Sequence, residues 1–326
     1  MHRPIYRAKN NFPATPAKPK GPIMPTIPGI HHVTAISGPA QANVTFFAGT
    51  LKQRLVKKTV NFDDPGTYHL YYGDPAGSPG TILTFFPFAN AGPGRAGQGM
   101  ASAYAYAIPT ADFDAIATDL RDTGHALHGP VDRFGQRVLT LRDPDGAPVE
   151  LIEDTEATDS HGFHSVTLWE RDPDPTIRLL TDAFGYKVTG SERSPAGERT
   201  RLTAPGSARG RIIDIWRSAA PVIGQPGAGT IHHIAFRAET QEDQHAWQDA
   251  LLSFGHRTTP VIDRQYFNAI YFREPGGVLF EIATDPPGFA VDEPVETMGS
   301  RLMLPAQHER LRDRIEAVLP PLKVPA

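Results

Sequence analysis

The sequence predicts an α+β protein in which four βαβββ modules pair into two open, barrel-like domains. Three observations predict it: one apolar-strand plan recurs four times, each opening strand is followed by a stretch of helical periodicity, and the closing strands are cut by short Gly/Pro/Asp turns. The opening strands are GIHHVTAIS (29–37), ASAYAYAIP (101–109), GFHSVTLWE (162–170) and TIHHIAFRA (230–238). The matching closing strands are TILTFFPF (81–88), APVELIED (147–154), RIIDIW (211–216) and VLFEIAT (278–284).

The second segment of each module reads as a helix of about three turns. ADFDAIATDLRDTGH sets Phe113, Ile116 and Leu120 at i, i+3 and i+7, with Gly124 as its stop, and QEDQHAWQDALLSFGH repeats the pattern with Trp247, Leu251 and Gly255. Turns follow at DPAGSPG, RDPDGAP, APGSARG and REPGG. One curved four-stranded sheet leaves a face unsatisfied, so modules should pair and enclose a cavity. The expected organisation is a Pro-rich tail (1–28), modules one and two (29–155), modules three and four (160–285), and a C-terminal segment with a helix (286–326). Modules one and four are expected to pair.

Composition narrows the function. The 326 residues, 40% apolar, suffice for two ordinary cores. A net charge of −4 gives no electrostatic case for nucleic acid or an anionic membrane surface, and no stretch approaches the roughly 18–20 apolar residues of a membrane span. The first residues, basic and Pro-rich, lack the apolar core of a signal peptide, so a cytoplasmic protein is expected. With no cysteine, disulfides, thiolate nucleophiles and thiolate-bound metals are excluded; a metal must be held by His, Asp and Glu. Seven prolines before residue 29 mark the tail as extended, without packed structure of its own.

Register selects the chemistry. Four residues beyond Gly80, Gly146, Gly210 and Gly277 stand Thr84, Glu150, Asp214 and Glu281; three beyond Gly29, Gly162 and Thr230 stand His32, Ser165 and His233. Side chains two apart on a strand share a face. Modules one and four thus combine His32, His233 and Glu281, with Thr84 in the fourth place. Two imidazoles and one carboxylate are the donor set of non-haem Fe(II) oxygenases, and three protein ligands leave positions open. His164 competes on spacing alone, but aligns with His31 and His232, the first member of each pair, which alternation turns out of the cavity. Glu150 and Asp214 read as satisfied surface or interdomain carboxylates.

GIHHVT, FGQR (134–137), GFHS, GTIHHIAF and EPGGVLFEIATDPPGF together resemble the ring-cleaving dioxygenases of the vicinal oxygen chelate superfamily, and most closely its hydroquinone dioxygenase branch. The resemblance runs from about residue 29 to the C-terminal RLRDRIEAVLPPL. It implies that His32, His233 and Glu281 bind Fe(II), with Mn(II) suited to the same ligands, and that Thr34, His232, Arg264 and Tyr271 are the catalytic positions around them. Arg264 would hold a developing oxyanion and Tyr271 donate a hydrogen bond, while Tyr266 and Phe267 are candidate pocket walls for an aromatic substrate. The expected partners are that substrate and O2, in a soluble homo-oligomer. A glyoxalase-like isomerase or hydrolase and a non-catalytic binding protein are the alternatives on this fold. Thr84 in the fourth ligand place weighs against the first, and the intact triad against the second.

Overall fold

A computed structural model describes residues 26–206 and 209–325. Among the described residues, sixteen strands fall into the four expected modules. The first holds β1 (Ile30–Ser37), β2 (Arg54–Val60), β3 (Tyr68–Gly73) and β4 (Ile82–Pro87); the second β5 (Met100–Pro109), β6 (His128–Arg133), β7 (Gln136–Arg142) and β8 (Pro148–Asp154). The third holds β9 (Phe163–Trp169), β10 (Lys187–Ser194), β11 (Gly197–Thr203) and β12 (Ile212–Ser218); the fourth β13 (Thr230–Ala238), β14 (Ile262–Asp263), β15 (Phe267–Arg273) and β16 (Leu279–Pro287).

The helices follow the opening strands but differ between modules. In module one α1 (Ala40–Val44) widens into a π-helical stretch, Thr45–Thr50, and in module three α3 (Asp174–Arg178) does the same over Leu179–Ala183. Modules two and four carry regular helices, α2 (Thr110–Asp122) and α4 (Gln241–Ser253). Phe113, Ala117 and Leu120 bury the inner face of α2, and Gly124 and Gly255 take positive φ just beyond the two helix ends, as C-terminal stops require. The side chain of Thr240 caps α4 by accepting from the Asp243 N–H.

The strands form two eight-stranded sheets. One runs β14-β15-β16-β13-β1-β4-β3-β2 and unites modules one and four; the other runs β10-β11-β12-β9-β5-β8-β7-β6 and unites modules two and three. At each centre two opening strands pair antiparallel, β1 with β13 and β5 with β9, and each pairs parallel with its own closing strand. One core runs through both halves. Its centre in module four is Trp247, fully buried, with Phe184 at 5.1 Å between ring centroids.

The expected Pro-rich tail lies outside the described residues up to residue 25. Its last residues are not free: Ile27 is buried in the main core and its N–H donates to Phe184 O at 3.4 Å. The C-terminal segment closes the base of the first half instead of trailing from it. Phe289 stacks on Tyr266 with centroids 5.1 Å apart, Met298 packs in the same cluster, and Lys57, fully buried on β2, holds Asp292 and Glu293 at 2.6 and 2.7 Å. The segment ends in two short helices, α5 (Ala306–Glu309) and α6 (Arg312–Val318), with Ile315 and Leu319 in the main core.

A buried acid pair joins the halves. Glu274, in the turn between β15 and β16, accepts from Thr176 Oγ1 (2.6 Å) and from the N–H groups of Gly276 and Val278 (both 2.8 Å). Glu170, at the end of β9, is fully buried against it, and a side chain at Gly276 would collide with the Glu170 carboxyl. Burial, then the charge of Glu274, pushes the Glu170 carboxyl up to about 9, from an ordinary 4.5. Between those pH values the folded chain binds a proton that the unfolded chain has lost, so stability falls as pH rises across the window. Glu170→Gln is expected to flatten that slope and to raise the melting temperature at pH near the top of the window. Thermal unfolding of both proteins at its two ends checks this; equal slopes would disprove it.

Candidate metal centre

Two β-bulges build the site. The β1–β13 register shifts between Ile30 and His32 and again between Thr34 and Ala35, opposite His233 and Ile231, so the residues left without a partner are His31 and His232. Each bulge re-aims the first histidine of its pair. Alternation alone turns His31 and His232 away from the cavity; the structure corrects this for His232, which lines the cavity, whereas His31 is buried outside its lining. The Nδ1 atoms of His31 and His32 lie 2.9 Å apart, and those of His232 and His233 2.7 Å apart. The outer imidazole in each pair thus engages Nδ1 of the inner one and leaves Nε2 of His32 and His233 free to face inward.

Those two Nε2 atoms converge on Glu281 Oε2, at 3.3 Å from His32 and 2.8 Å from His233. One donor atom each from His32, His233 and Glu281 lies within 4.8 Å of the other two, and all three residues are buried. Despite this proximity, His233 Nε2 and both Glu281 oxygens have no hydrogen-bond partner of proper geometry among the described residues. An uncompensated buried carboxylate costs several kcal/mol, so the arrangement fits a cation held between the three groups. Burial opposes charge on Glu281, yet His32 and His233 hold its carboxyl well below the usual range; burial likewise keeps His31, His232 and His233 neutral, with His232 down to about 4. A carboxylate and neutral imidazoles are the protonation states a metal needs.

A cavity of about 380 Å³ opens over these donors. One wall is a hydrogen-bonded row on β3, β4 and β1. Tyr71 OH meets His69 Nδ1 at 2.8 Å, His69 Nε2 meets Thr84 Oγ1 at 2.7 Å, and Thr84 Oγ1 donates to Thr34 Oγ1 at 3.2 Å. Read in one direction, the row leaves the Thr34 proton for a group in the cavity. Burial, then His32 and His233, hold the His69 imidazole well below its ordinary value, hence neutral. The opposite wall carries Tyr271, across from Glu281 on β15, with Arg264 Nε donating to its hydroxyl at 3.4 Å and Arg264 Nη1 to Asp63 at 3.2 Å. Phe62, Phe86, Phe88 and Phe267 supply the aromatic lining.

The family model for the Glyoxalase/Bleomycin resistance protein/Dioxygenase superfamily matches residues 29–151 and 162–282. The chain belongs to this superfamily.

Within the superfamily it groups with the ring-cleaving dioxygenases. It is 46% identical to MhqO of Bacillus subtilis (strain 168), named as a ring-cleaving dioxygenase, over 91% of this chain and 97% of that one. It is 33% identical to the chlorohydroquinone/hydroquinone 1,2-dioxygenase of Sphingobium indicum over 89% and 95%. The crystal structure of a dioxygenase from Bacillus subtilis superposes with a TM-score of 0.87 at 44% identity, covering 92% of this chain and 99% of that one. Glyoxalase I from Zea mays, at 16% identity, shares the fold with a TM-score of 0.62 over 79% of this chain and 92% of that one.

For this superfamily member the cavity gathers His32, Thr34, His232, His233, Arg264, Phe267, Tyr271 and Glu281. Tyr266 lies behind the wall instead: it is buried against Tyr71 and Phe289, and its hydroxyl donates to Asp292 at 3.0 Å. His164 sits in the other sheet, at hydrogen-bond distance from Ser165 Oγ (3.0 Å) and Gln136 Oε1 (3.1 Å). Glu150 and Asp214 are satisfied, each in a two-pronged pair with arginine in the second sheet; Asp214 is fully buried and Glu150 lines a cavity there with residues of module three. His69, Tyr71, Asp63 and three of the phenylalanines escape the sequence reading. The alternation of YHLYYG puts His69 and Tyr71 on one face, but only the pairing of β3 with β4 turns that face toward Thr84.

Proposed function

We propose that this chain is an Fe(II)-dependent, extradiol-type dioxygenase that opens the ring of a hydroquinone- or catechol-like substrate with O2. The observation that carries the reading is the convergence of three buried donor atoms, from His32, His233 and Glu281, within 4.8 Å at the floor of an aromatic cavity. Among the described residues no fourth His, Asp or Glu joins this group, and Thr84, in that place, spends its hydroxyl between His69 and Thr34. Iron(II), when bound, supplies the one-electron chemistry that lets O2 react with an aromatic ring, which no side chain can supply; Mn(II) suits the same donors.

The chain's own residues do the rest. His31 and His232 fix the tautomer of His32 and His233 through their Nδ1 contacts, and so the direction of both Nε2 lone pairs. Phe86 and Phe267 exclude water and hold the ring flat. The hydroxyl of Thr34 donates to one ring oxygen, while its supply line through Thr84 to His69 and Tyr71 lets a proton shift within the wall. Tyr271 donates to the oxygen on the opposite side, and Arg264 beside it neutralises negative charge developing there. A cysteine-free chain fits the reducing cytoplasm, and a soluble oligomer belongs to the same reading.

Metal analysis of protein purified without oxygen tests the assignment. Iron near one atom per chain is the expected result. Zinc or nickel in its place would favour an isomerase or hydrolase, and no metal a binding protein.

A further inference from the structure

The second half of the molecule repeats the scaffold of the metal centre with other chemistry. Ser165 holds the place of His233, behind a bulge at His164, and Asp214 holds that of Glu281. Arg201 faces Asp214 across β11 and β12 as Tyr271 faces Glu281 across β15 and β16. Here carboxylates receive guanidinium groups. Arg201 donates to both oxygens of Asp214 at 2.8 and 2.9 Å, and Arg133 to both oxygens of Glu150 at 2.5 and 2.7 Å. Each of these pairs is electrically complete.

Arg199 has no such complement. It stands two residues before Arg201, on the same face of β11, and its Nη1 donates to Thr167 Oγ1 at 2.9 Å. Asp214 Oδ2, already bonded to Arg201, is 3.8 Å away. The Arg199 guanidinium lies 5.3 Å from the ring centre of Trp216, its cross-strand partner, and only 15% of its side chain is exposed. Together with Trp169 and Trp216 it lines a cavity of about 400 Å³, where Arg95 and Arg142 add positive charge. The carboxylates at that surface are Glu150, which Arg133 neutralises, and Asp145, whose Oδ2 accepts the Gly38 N–H at 2.9 Å. Burial and the charge of Arg133 make Arg199 a weaker base than usual, as a site short of negative charge would. In a chain of net charge −4 this excess is local.

We propose that this cavity is a second binding site, which takes a monocarboxylate with a flat aromatic or conjugated body. The carboxylate sits on the Arg199 fork, whose geometry matches two oxygens in one plane. The body lies against the indoles of Trp169 and Trp216. The site is separate from the metal centre and stands whether or not the reading of that centre holds.

Tryptophan emission reports on it, because two of the three tryptophans line the cavity and Trp247 is buried in the core. Benzoate titrated into the full-length protein is expected to change that emission saturably, whereas chloride at equal ionic strength is not. Arg199→Gln should weaken the half-saturation point at least about tenfold, and Arg199→Lys, which keeps the charge but loses the fork, should fall between. Glu281→Gln, in the other half, should leave benzoate binding unchanged. A wild-type titration without saturation would overturn the proposal. So would wild-type affinity in Arg199→Lys and Arg199→Gln, or loss of the signal in Glu281→Gln, which would move the benzoate to the metal cavity.

Discussion

Glu281→Ala is expected to remove bound metal and with it ring-opening activity, by at least about a thousandfold, while leaving the apo protein folded. The two effects have one origin. Glu281 is the only anionic donor among the three converging groups, so without it two neutral imidazoles must hold a dication unaided. Metal content and oxygen uptake, with circular dichroism as the folding control, check this. A variant that keeps stoichiometric iron would remove Glu281 from the ligand set.

The second large effect is on stability. Lys57→Met is expected to cost about 3–5 kcal/mol, read from chemical denaturation. Lys57 is fully buried between Asp292 and Glu293, and Glu293 is itself fully buried. Removing the cation leaves an uncompensated carboxylate inside the first half and frees the segment that closes its base. Tyr266, whose ring lies 5.1 Å from the Lys57 ammonium and whose hydroxyl bonds Asp292, would loosen with it. Loss of less than about 1 kcal/mol, the size of a surface ion pair, would show that the segment is held by packing alone.

The four-module plan was legible because its signals are local: apolar opening strands, helical stripes and turn glycines. The register was legible for a physical reason. Gly80, Gly146, Gly210 and Gly277 all take positive φ, between 62° and 105°, so each marks the same point of the same turn. Counting from them brings Glu281 opposite the histidine strands. What stayed hidden depends on long-range pairing. The bulges at His31 and His232 exist only once β1 meets β13, and strict alternation therefore misdirects His232, which lines the cavity. His69 is a lone histidine on a middle strand, with nothing in its neighbourhood to set it apart until β3 lies beside β4. Tyr266 reads as a wall because it neighbours Phe267, but its ring packs behind the lining against Tyr71 and Phe289, with its hydroxyl on Asp292. The acids that neutralise Lys57 lie more than 230 residues along the chain, so nothing local in the sequence marks it as buried.

Oxygen consumption by the iron-loaded protein, measured against a panel of hydroquinones and catechols, decides whether this site opens aromatic rings. One O2 consumed per ring opened is expected, dependent on iron and absent in Glu281→Ala. Iron-loaded wild-type protein that binds these aromatics and leaves O2 untouched would contradict ring opening at this site.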